Sequence, residues 1–224
     1  MKTILVSGSS SGIGFAICEE SKKQGHKVIG ISRNINSQAS ELGVRSYSVD
    51  VTNQNQINEL INNLTSENII IDILINNAGL LIKDRFRDTS DDMFKRVYDV
   101  NVFGLANLTR ALLPIINKDG QVINITSVGG LNKSKKFPGL SAYASSKGAL
   151  ITLTEVLAEE YRSRPRFNCL ALGSVKTKML AEAFPGYEAK ITPDEMAKQI
   201  LDFAFDQNNT RNGEIITLDK GNLE

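Results

Sequence analysis

The sequence is short of the residues that build metal sites and disulfide frameworks. Among its 224 residues it has one histidine, His26, and two cysteines, Cys18 and Cys169. A single histidine cannot support a histidine-based metal site, and two cysteines without metal-site spacing are too few for a disulfide framework. We therefore expect no bound metal, and we interpret His26 as a turn residue and the cysteines as core residues.

Charge of one sign and long apolar runs are also scarce. The formal net charge is +1, and the longest block of like charge is "KSKK" at residues 133–136. A basic surface for nucleic acid is therefore not favoured. Because there is neither an apolar signal segment nor an 18-residue apolar run, we expect a cytoplasmic protein that does not associate with membranes.

Short apolar runs alternate with longer helical patterns along the chain. Most of the runs are apolar at nearly every position, which is typical of strands buried on both faces of a parallel sheet. The predicted strands cover residues 2–7, 27–32, 45–50, 71–76, 121–126, 166–172 and 214–219. The predicted helices cover residues 12–24, 53–64, about 91–113, about 140–162 and a segment that begins at Pro193.

This alternation predicts the fold class. A doubly wound α/β sheet of about seven parallel strands, with helices on both faces, accounts for residues 1–224 as one domain. Thr52 is a candidate N-cap for the helix at 53–64. The two long irregular stretches are 128–140 and 174–192, and in such folds the loops beyond the carboxyl ends of the strands contact ligands.

The first predicted strand ends in the glycine-rich segment "SGSSSGIG" at residues 7–14. Gly8 permits a tight turn, Gly12 lets the backbone approach a pyrophosphate, and Gly14 lets the helix pack close to the strand. The helix that follows offers unpaired N–H groups to phosphate. A glycine- and serine-rich loop without a ligand is the alternative, but the required strand and helix flank this one.

The segment "YASSK" at residues 143–147 places a phenol and an ammonium on one face of a predicted helix, because positions four apart lie one turn apart. A free phenol has a pKa of about 10. A nearby ammonium favours the phenolate, which would make Tyr143 fit for proton transfer. Taken alone, the pair Tyr143 and Lys147 could equally be a half-buried aromatic residue and a solvated charge.

Four further stretches follow in order: "DVT" at 50–52, "NNAG" at 76–79, "DVN" at 99–101 and "NITS" at 124–127. With these the sequence resembles the short-chain dehydrogenase/reductase family, in its compact single-domain form, from Lys2 to about Gly221. The resemblance implies a Rossmann-type fold and an NAD(P)-dependent enzyme that interconverts a carbonyl and a secondary alcohol. The cofactor would carry the hydride, and the protein would supply positioning and the proton.

Two other functions stay open on the same fold. A non-catalytic nucleotide-binding regulator is one, and the intact Ser127, Tyr143 and Lys147 argue against it. An epimerase or dehydratase with bound NAD is the other, and it would usually need a larger substrate domain than 224 residues provide.

The resemblance also implies a role for each catalytic candidate. Tyr143 would be the general acid and base, and Lys147 would lower the pKa of Tyr143 and hold the nicotinamide ribose. Ser127 would orient the substrate oxygen. Asn101 would complete a water-linked proton relay to the lysine.

The predicted cofactor contacts come from the loops and from the catalytic helix. Asp50 and Val51 would contact adenine, and Thr177 would hold the nicotinamide carboxamide. The full set is Gly8, Ser10, Ser11, Gly12, Ile13, Gly14, Ser32, Arg33, Asp50, Val51, Asn77, Ala78, Gly79, Tyr143, Lys147, Val175 and Thr177.

The end of the second predicted strand, "GISRN", bears on the choice of cofactor. It carries Ser32 and Arg33 and no carboxylate, whereas an acidic residue there would hold a free ribose. Because a guanidinium suits a phosphate, we predict a preference for NADP, with NAD possible. Ser11 stands where NADP-preferring relatives often have a second basic residue. The family resemblance further implies a small-molecule substrate and a homodimer or homotetramer formed through the helices at about 91–113 and 140–162.

Overall fold

One parallel sheet runs through the computed structural model, which describes residues 1–162, 164–206 and 210–219. Its seven strands in these ranges are β1 (Thr3–Ser7), β2 (Lys27–Ser32), β3 (Arg45–Ser48), β4 (Ile71–Asn76), β5 (Ile116–Ser127), β6 (Arg166–Leu172) and β7 (Ile215–Leu218). Across the sheet the order is β3-β2-β1-β4-β5-β6-β7, with every neighbouring pair parallel. The predicted doubly wound sheet is confirmed. The chain reverses its direction of travel across the sheet between β1 and β4, and this is where such folds have their ligand crevice.

Helices connect the strands and cover both faces of the sheet. Those in the described residues are α1 (Gly12–Lys23), α2 (Ser37–Glu41), α3 (Gln54–Ser66), α4 (Asp91–Tyr98), α5 (Leu105–Leu112), α6 (Ser141–Glu160), α7 (Lys178–Ala183) and α8 (Pro193–Phe205). Short 3-10 turns lie at Leu113–Ile115 and Val128–Gly130. None of the described helices has the length and apolar character to cross a membrane.

Successive residues of each strand pack against different helix layers. In β1, Ile4 and Val6 join the cluster that includes α1 and α8, while Leu5 joins the cluster that includes α3 and α5. All three side chains are fully buried, and each contributes about 1.5–3 kcal/mol by its removal from water. This two-sided burial explains why the strands are apolar at nearly every position.

The long helix predicted over about 91–113 is interrupted. α4 ends at Tyr98, and a π-helical segment, Asp99–Gly104, separates it from α5. The segment includes Asn101, which is fully buried. Its side chain accepts a hydrogen bond from the Leu80 N–H at 2.7 Å and donates to the Leu80 carbonyl at 2.9 Å. The wide turn therefore places an amide against the backbone that follows β4.

Two further predictions about local structure are corrected. Thr52 does not cap α3, because its hydroxyl donates to Asp50 Oδ1 at 2.8 Å. Asn53 is the cap, and its side chain accepts hydrogen bonds from the N–H groups of Asn55 and Gln56. The stretch 174–192, predicted to be irregular, contains α7.

The residues that we interpreted as structural have structural roles. His26 lies in the turn between α1 and β2, where its Nδ1 accepts a hydrogen bond from the Lys2 N–H and its ring stacks on Phe205 at 4.3 Å. Cys18 and Cys169 are free and buried. The residues that the structure describes contain no group of three or more histidine, cysteine or acidic side chains suited to a metal ion.

Candidate active site

The carboxyl ends of β1 and β4 are joined at the middle of the sheet. The Ser7 hydroxyl accepts hydrogen bonds from the N–H groups of Asn77 and Ala78, each at 3.0 Å. The Asn77 side-chain amide donates to the carbonyls of Ser7 and Gly8, at 3.0 and 3.2 Å. The predicted "NNAG" turn is thus fixed against the start of the glycine loop.

The glycine loop leaves no room for side chains at two of its glycines. Gly8 has φ +70°, and a Cβ there would lie 2.8 Å from the Ala78 Cα. A Cβ at Gly14 would overlap the Gly8 carbonyl oxygen. Ser11, the exposed N-cap of α1, makes no side-chain capping hydrogen bond. The N–H groups of the first turn are therefore available to an anion such as a pyrophosphate.

The segment after β6 packs against this loop. Gly12 has φ +56°, and a Cβ there would lie 3.4 Å from the Thr177 Cγ2. The Thr177 hydroxyl caps α7 by accepting a hydrogen bond from the Leu180 N–H. Val175 is buried and forms an isolated parallel bridge with Ile191. The structure therefore brings Thr177 and the glycine loop together, as their predicted contacts with one cofactor require.

The turn after β2 carries the predicted reader of the 2′-phosphate. Arg33 is exposed, and none of the ion pairs among the described residues includes it. Its carbonyl accepts a hydrogen bond from the Ser48 hydroxyl, and the Ser32 hydroxyl donates to the Asn34 carbonyl. The guanidinium is therefore free to bind a phosphate at the end of β2.

Asn36, which the sequence reasoning missed, holds this turn to the glycine loop. Its amide nitrogen donates to the Ser10 carbonyl at 2.9 Å, and its amide oxygen caps α2 through the Gln38 N–H. Ser10 and Ile13 are both half-buried in the glycine loop. An asparagine just before a short polar helix was the available signal.

Asp50 and Val51, the predicted adenine contacts, follow β3. Asp50 Oδ1 accepts hydrogen bonds from the Thr52 N–H and hydroxyl, at 2.9 and 2.8 Å. The Asp50 N–H donates to the Gln56 side chain at 2.7 Å. Val51 is buried. The turn after β3 is thus ordered by its own polar groups, beside the turn after β2.

Asn101 connects the turn after β4 to the catalytic helix. Besides its bonds to Leu80, its amide donates to the Ser146 hydroxyl at 2.9 Å, and that hydroxyl donates to the Tyr143 carbonyl at 2.7 Å. Ser146 is a second residue that the sequence reasoning missed. A Cβ at Gly79 would lie 3.6 Å from both Asn101 Oδ1 and Lys147 Nζ. Asn101, Gly79 and Lys147 are therefore neighbours.

The Ser127 side chain lies beside the Tyr143 hydroxyl and acts on its pKa. Ser127 ends β5, and its oxygen also accepts a hydrogen bond from the Gly129 N–H at 3.2 Å. Burial raises the pKa of Tyr143 to about 12, while the hydrogen bond with Ser127 acts in the opposite direction. The two predicted catalytic hydroxyls thus form one pair, at which a carbonyl oxygen could receive two hydrogen bonds.

Lys147 is buried beside this pair. Its Nζ donates to the Ile125 carbonyl at 2.9 Å and lies 5.8 Å from the centroid of the Tyr143 ring. Burial lowers the pKa of Lys147 to about 8, and the nearby Cys169 thiol acts to raise it. Burial dominates the pKa of Tyr143, and the lowering of that pKa by Lys147 stays a prediction. The ammonium is held by a backbone carbonyl, so loss of hydration dominates at the phenol.

These residues fit a dinucleotide. The closed glycine cradle and the uncapped start of α1 suit a pyrophosphate, and Arg33 lies at the end of β2. Ser127 ends β5, and Tyr143 and Lys147 lie on α6. All three are thus near the carboxyl ends of the strands, on the β5 side of the switch between β1 and β4.

Comparison with known proteins agrees with this geometry. A family model described as "short chain dehydrogenase" matches residues 2–188. The 3-oxoacyl-[acyl-carrier-protein] reductase FabG of Thermotoga maritima is 31% identical, over 98% of this chain and 97% of its own.

Two solved structures share the fold over nearly their whole length. One is 4-hydroxyisoleucine dehydrogenase complexed with NADH (TM-score 0.84, 30% identity), which matches over 98% of this chain and 97% of its own. The other is ElxO with NADP bound (TM-score 0.84, 28% identity), which matches over 99% and 98%. The relatives thus include proteins crystallised with either cofactor.

Proposed function

Because the chain belongs to the short-chain dehydrogenase/reductase family and is therefore an oxidoreductase, we propose that it interconverts a carbonyl and a secondary alcohol with a preference for NADP(H). The observation that supports this most directly is the hydroxyl pair of Ser127 and Tyr143 beside the buried Lys147. In the non-catalytic alternative, nothing would require a phenol, a hydroxyl and an ammonium to converge next to a phosphate-binding loop.

The proposed reduction uses the hydroxyl pair as donors. When bound, the nicotinamide supplies the hydride. The Ser127 hydroxyl holds the carbonyl oxygen, and the Tyr143 hydroxyl donates its proton to that oxygen as negative charge develops there. Because the pKa of Tyr143 is raised to about 12, the phenol is protonated at neutral pH, as a general acid must be. Oxidation runs in reverse and needs the phenolate as base.

Lys147 and Asn101 assist the hydroxyl pair of Ser127 and Tyr143. The buried ammonium of Lys147 favours negative charge nearby, so in the proposed mechanism it stabilises the Tyr143 phenolate. Asn101 orders both ends of this arrangement, because its amide bonds to Leu80 and to Ser146, which in turn bonds to the Tyr143 carbonyl. We propose Asn101 as part of the proton relay and as the residue that positions Tyr143.

The preference for NADP rests on the turn after β2. Arg33 is exposed there, with no acidic residue at 32–34 to hold a free ribose. A guanidinium forms charge-assisted hydrogen bonds with phosphate, and Asn36 ties the turn to the glycine loop. Ser11 offers no second positive charge, so NAD remains a usable cofactor.

The remaining features of the proposal come from the sequence. We propose a single domain over residues 1–224, of which 163, 207–209 and 220–224 lie outside the described residues. We also propose a small-molecule substrate, a cytoplasmic location, a homodimer or homotetramer, and no binding of nucleic acid or membranes.

A substrate panel tests the function. Purified protein with NADPH is mixed with ketones, oxoacyl thioesters and sugars, and the fall in NADPH absorbance is followed, with NADH in parallel. We expect turnover of at least one carbonyl class. Tight NADPH binding without turnover of any panel member would instead support the non-catalytic regulator.

A further inference from the structure

Aromatic side chains from two of the loops beyond the sheet meet at the mouth of the site. Phe137 belongs to the segment between Ser127 and α6, and Phe184 and Tyr187 follow α7. The ring centroid of Phe184 lies 6.3 Å from that of Phe137 and 6.5 Å from that of Tyr187. We call Phe137, Phe184 and Tyr187 the aromatic rim. Phe137 is 43% exposed and Tyr187 is 54% exposed, so the rim offers apolar surface to a bound molecule.

Lys83, in the loop after β4, places a positive charge on this rim. Its Nζ lies 4.0 Å from the centroid of the Phe184 ring, a cation–π contact. Its stem packs on the 128–140 loop, since a Cβ at Gly139 would lie 3.1 Å from the Lys83 Cγ. The Asp84 N–H donates to the Gly139 carbonyl at 3.0 Å, which joins the two loops. Lys83 is therefore exposed but held in one place.

The loop at 128–140 adds three more lysines and no acidic residue. Lys135 Nζ lies 5.7 Å from the centroid of the Phe137 ring. Lys136 Nζ donates to the carbonyls of Gly129 and Leu131 at 2.7 and 2.6 Å, so its charge is built into the loop. Among the described residues, no ion pair includes Lys83 or the lysines at 133, 135 and 136.

The carboxylates on the same loops do not cancel this charge. Asp84 Oδ1 accepts the Arg85 N–H, and Arg85 is itself positive. Glu182 on α7 pairs with Lys178 at 3.8 Å. Glu188 is exposed and lies between the positive Lys176 and Lys190 in the sequence. The mouth of the site therefore carries uncompensated positive charge beside aromatic surface.

We infer that the substrate of this enzyme carries an anionic group, a carboxylate or a phosphate, which binds Lys83, Lys133 and Lys135 while an apolar part packs on the aromatic rim. The inference rests on the proposed function, since the reacting carbonyl is taken to lie at Ser127 and Tyr143. Ser127 and Tyr143 lie at the two ends of the lysine-bearing segment. Lys136 Nζ bonds to the carbonyl of Gly129, whose N–H donates to Ser127, so the segment folds back toward the hydroxyl pair. An acidic carbonyl compound, or the corresponding hydroxy acid, meets this description.

Matched pairs of substrates test the inference. Unbranched oxo acids of increasing chain length are compared with their methyl esters, and dihydroxyacetone phosphate is compared with dihydroxyacetone, all by NADPH oxidation. We expect the charged member of the preferred pair to have a kcat/KM at least about tenfold higher, as a charge-assisted contact provides. This advantage should shrink with added salt. Preference within the acid pairs or within the phosphate pair identifies which anion is used.

Lys83→Gln separates charge recognition from catalysis. It should raise KM for the acid about tenfold, leave kcat and the ester's KM unchanged, and leave the NADPH dissociation constant unchanged. Lys135→Gln should act in the same direction. The matched control is Lys118→Gln, an exposed lysine near the amino end of β5, which should change none of these values.

The outcomes distinguish this inference from the proposed function. Esters turned over as well as, or better than, their acids would overturn the inference and leave the oxidoreductase intact. An acid whose KM is the same in wild type and in Lys83→Gln would also overturn it. Absence of turnover for every charged and neutral carbonyl, despite NADPH binding, would overturn the proposed function and the inference with it.

Discussion

Burial favours the neutral form of both Tyr143 and Lys147. It raises the pKa of the phenol to about 12 and lowers that of the ammonium to about 8. A phenol that keeps its proton can act as an acid. An ammonium with a pKa of about 8 loses its charge slightly above neutral pH. The pair is thus tuned toward proton donation, and the two reaction directions should respond differently to pH.

The pH dependence of each direction follows from these values. The phenolate needed for alcohol oxidation grows with pH, so log(kcat/KM) for oxidation should rise by about one unit per pH unit through the neutral range. Reduction needs the protonated phenol and should be flat, then fall above about pH 8 as Lys147 loses its charge. Initial rates in both directions over a pH series check this. Oxidation that is already independent of pH near 6 would show that the Tyr143 pKa is depressed in the working enzyme.

Tyr143→Phe removes the transferable proton and keeps the ring. We expect turnover to fall by roughly 10²–10⁴-fold with NADPH affinity nearly unchanged, because the phenyl ring still fills the site. Single-substrate kinetics and a fluorescence titration of NADPH measure the two effects.

Lys147→Ala serves as the comparison for Tyr143→Phe. It should damage turnover and cofactor binding together, since the ammonium is assigned both tasks. Turnover of Tyr143→Phe within a few-fold of wild type would contradict the assignment of the acid.

We propose that Arg33 sets the cofactor preference. A charge-assisted contact to the 2′-phosphate gives roughly 10- to 150-fold preference for NADP over NAD, and the lower end is expected because Arg33 is exposed and Ser11 adds no charge. Arg33→Ala should lose most of that preference in measured dissociation constants. Ser32→Asp combined with Arg33→Ala should turn it toward NAD.

Asn36 provides the control for the Arg33 experiment. Asn36→Ser keeps a capping oxygen for α2 but cannot reach the Ser10 carbonyl, so it should weaken NADP and NAD binding alike by loosening the turn. Equal NADP affinity in wild type and Arg33→Ala would mean that another group reads the phosphate.

At the scale of secondary structure, apolar patterns in the sequence predicted the elements that have a buried face. Six of the seven strands and the helices α1, α3, α6 and α8 lie close to their predicted bounds, because an apolar run or stripe reports a buried face directly, whereas β5 begins at Ile116, well before its predicted start at 121. α2 and α7 were missed because they are short and mostly polar. The π-helical turn at Asp99–Gly104 was missed because it leaves the apolar pattern continuous, and the hydrogen bond from the Leu80 N–H to Asn101 that accompanies it is long-range in the sequence.

The residues of the candidate site also divide into those that the sequence could identify and those that it could not. Glycines and the Tyr143–Lys147 pair could be identified from sequence because their spacing is fixed by a local turn or a helix face. Ser7 and Ser146 could not, because each has a partner distant in the sequence, and only the capping of α2 by Asn36, not its bond to Ser10, had a sequence signal. The direction of the Tyr143 pKa also depends on burial, which spacing alone does not report.

Gly14→Ala tests the contact between α1 and β1 on which the glycine loop depends. A methyl group there would overlap the Gly8 carbonyl oxygen and approach the Asn77 side chain. The helix must move away, so we expect a loss of about 1–3 kcal/mol in the free energy of unfolding and weaker binding of both cofactors. Urea denaturation and NADPH titration measure these effects. Gly25→Ala is the control. Gly25 also has a positive φ, +80°, but no atom lies within 4 Å of a Cβ placed there. This variant should therefore change the free energy of unfolding and leave the cofactor affinity unchanged.

At the scale of the whole molecule, helices that cover the sheet keep some apolar surface exposed. Val156 on α6 is 48% exposed, and Phe103 in the π-helical segment is 56% exposed. Both lie in the segments at about 91–113 and 140–162 that we predicted to form the subunit interface. Complete burial of an exposed side chain of this kind is worth about 1.5–3 kcal/mol, so burial of the exposed half of each gives these helices a reason to pair with a second copy.

We therefore expect a dimer or tetramer in solution. Light scattering at micromolar concentration should give a mass of at least twice 24.5 kDa. Val156→Glu with Phe103→Glu should shift the protein toward the monomer, because each change places a carboxylate in an apolar contact. Ile70→Glu is the matched control, since Ile70 is 51% exposed but directly precedes β4, at the amino ends of the strands, whereas the site lies at their carboxyl ends. A wild-type protein of 24.5 kDa alone would contradict the assembly, and equal dissociation by Ile70→Glu would contradict its placement on these helices.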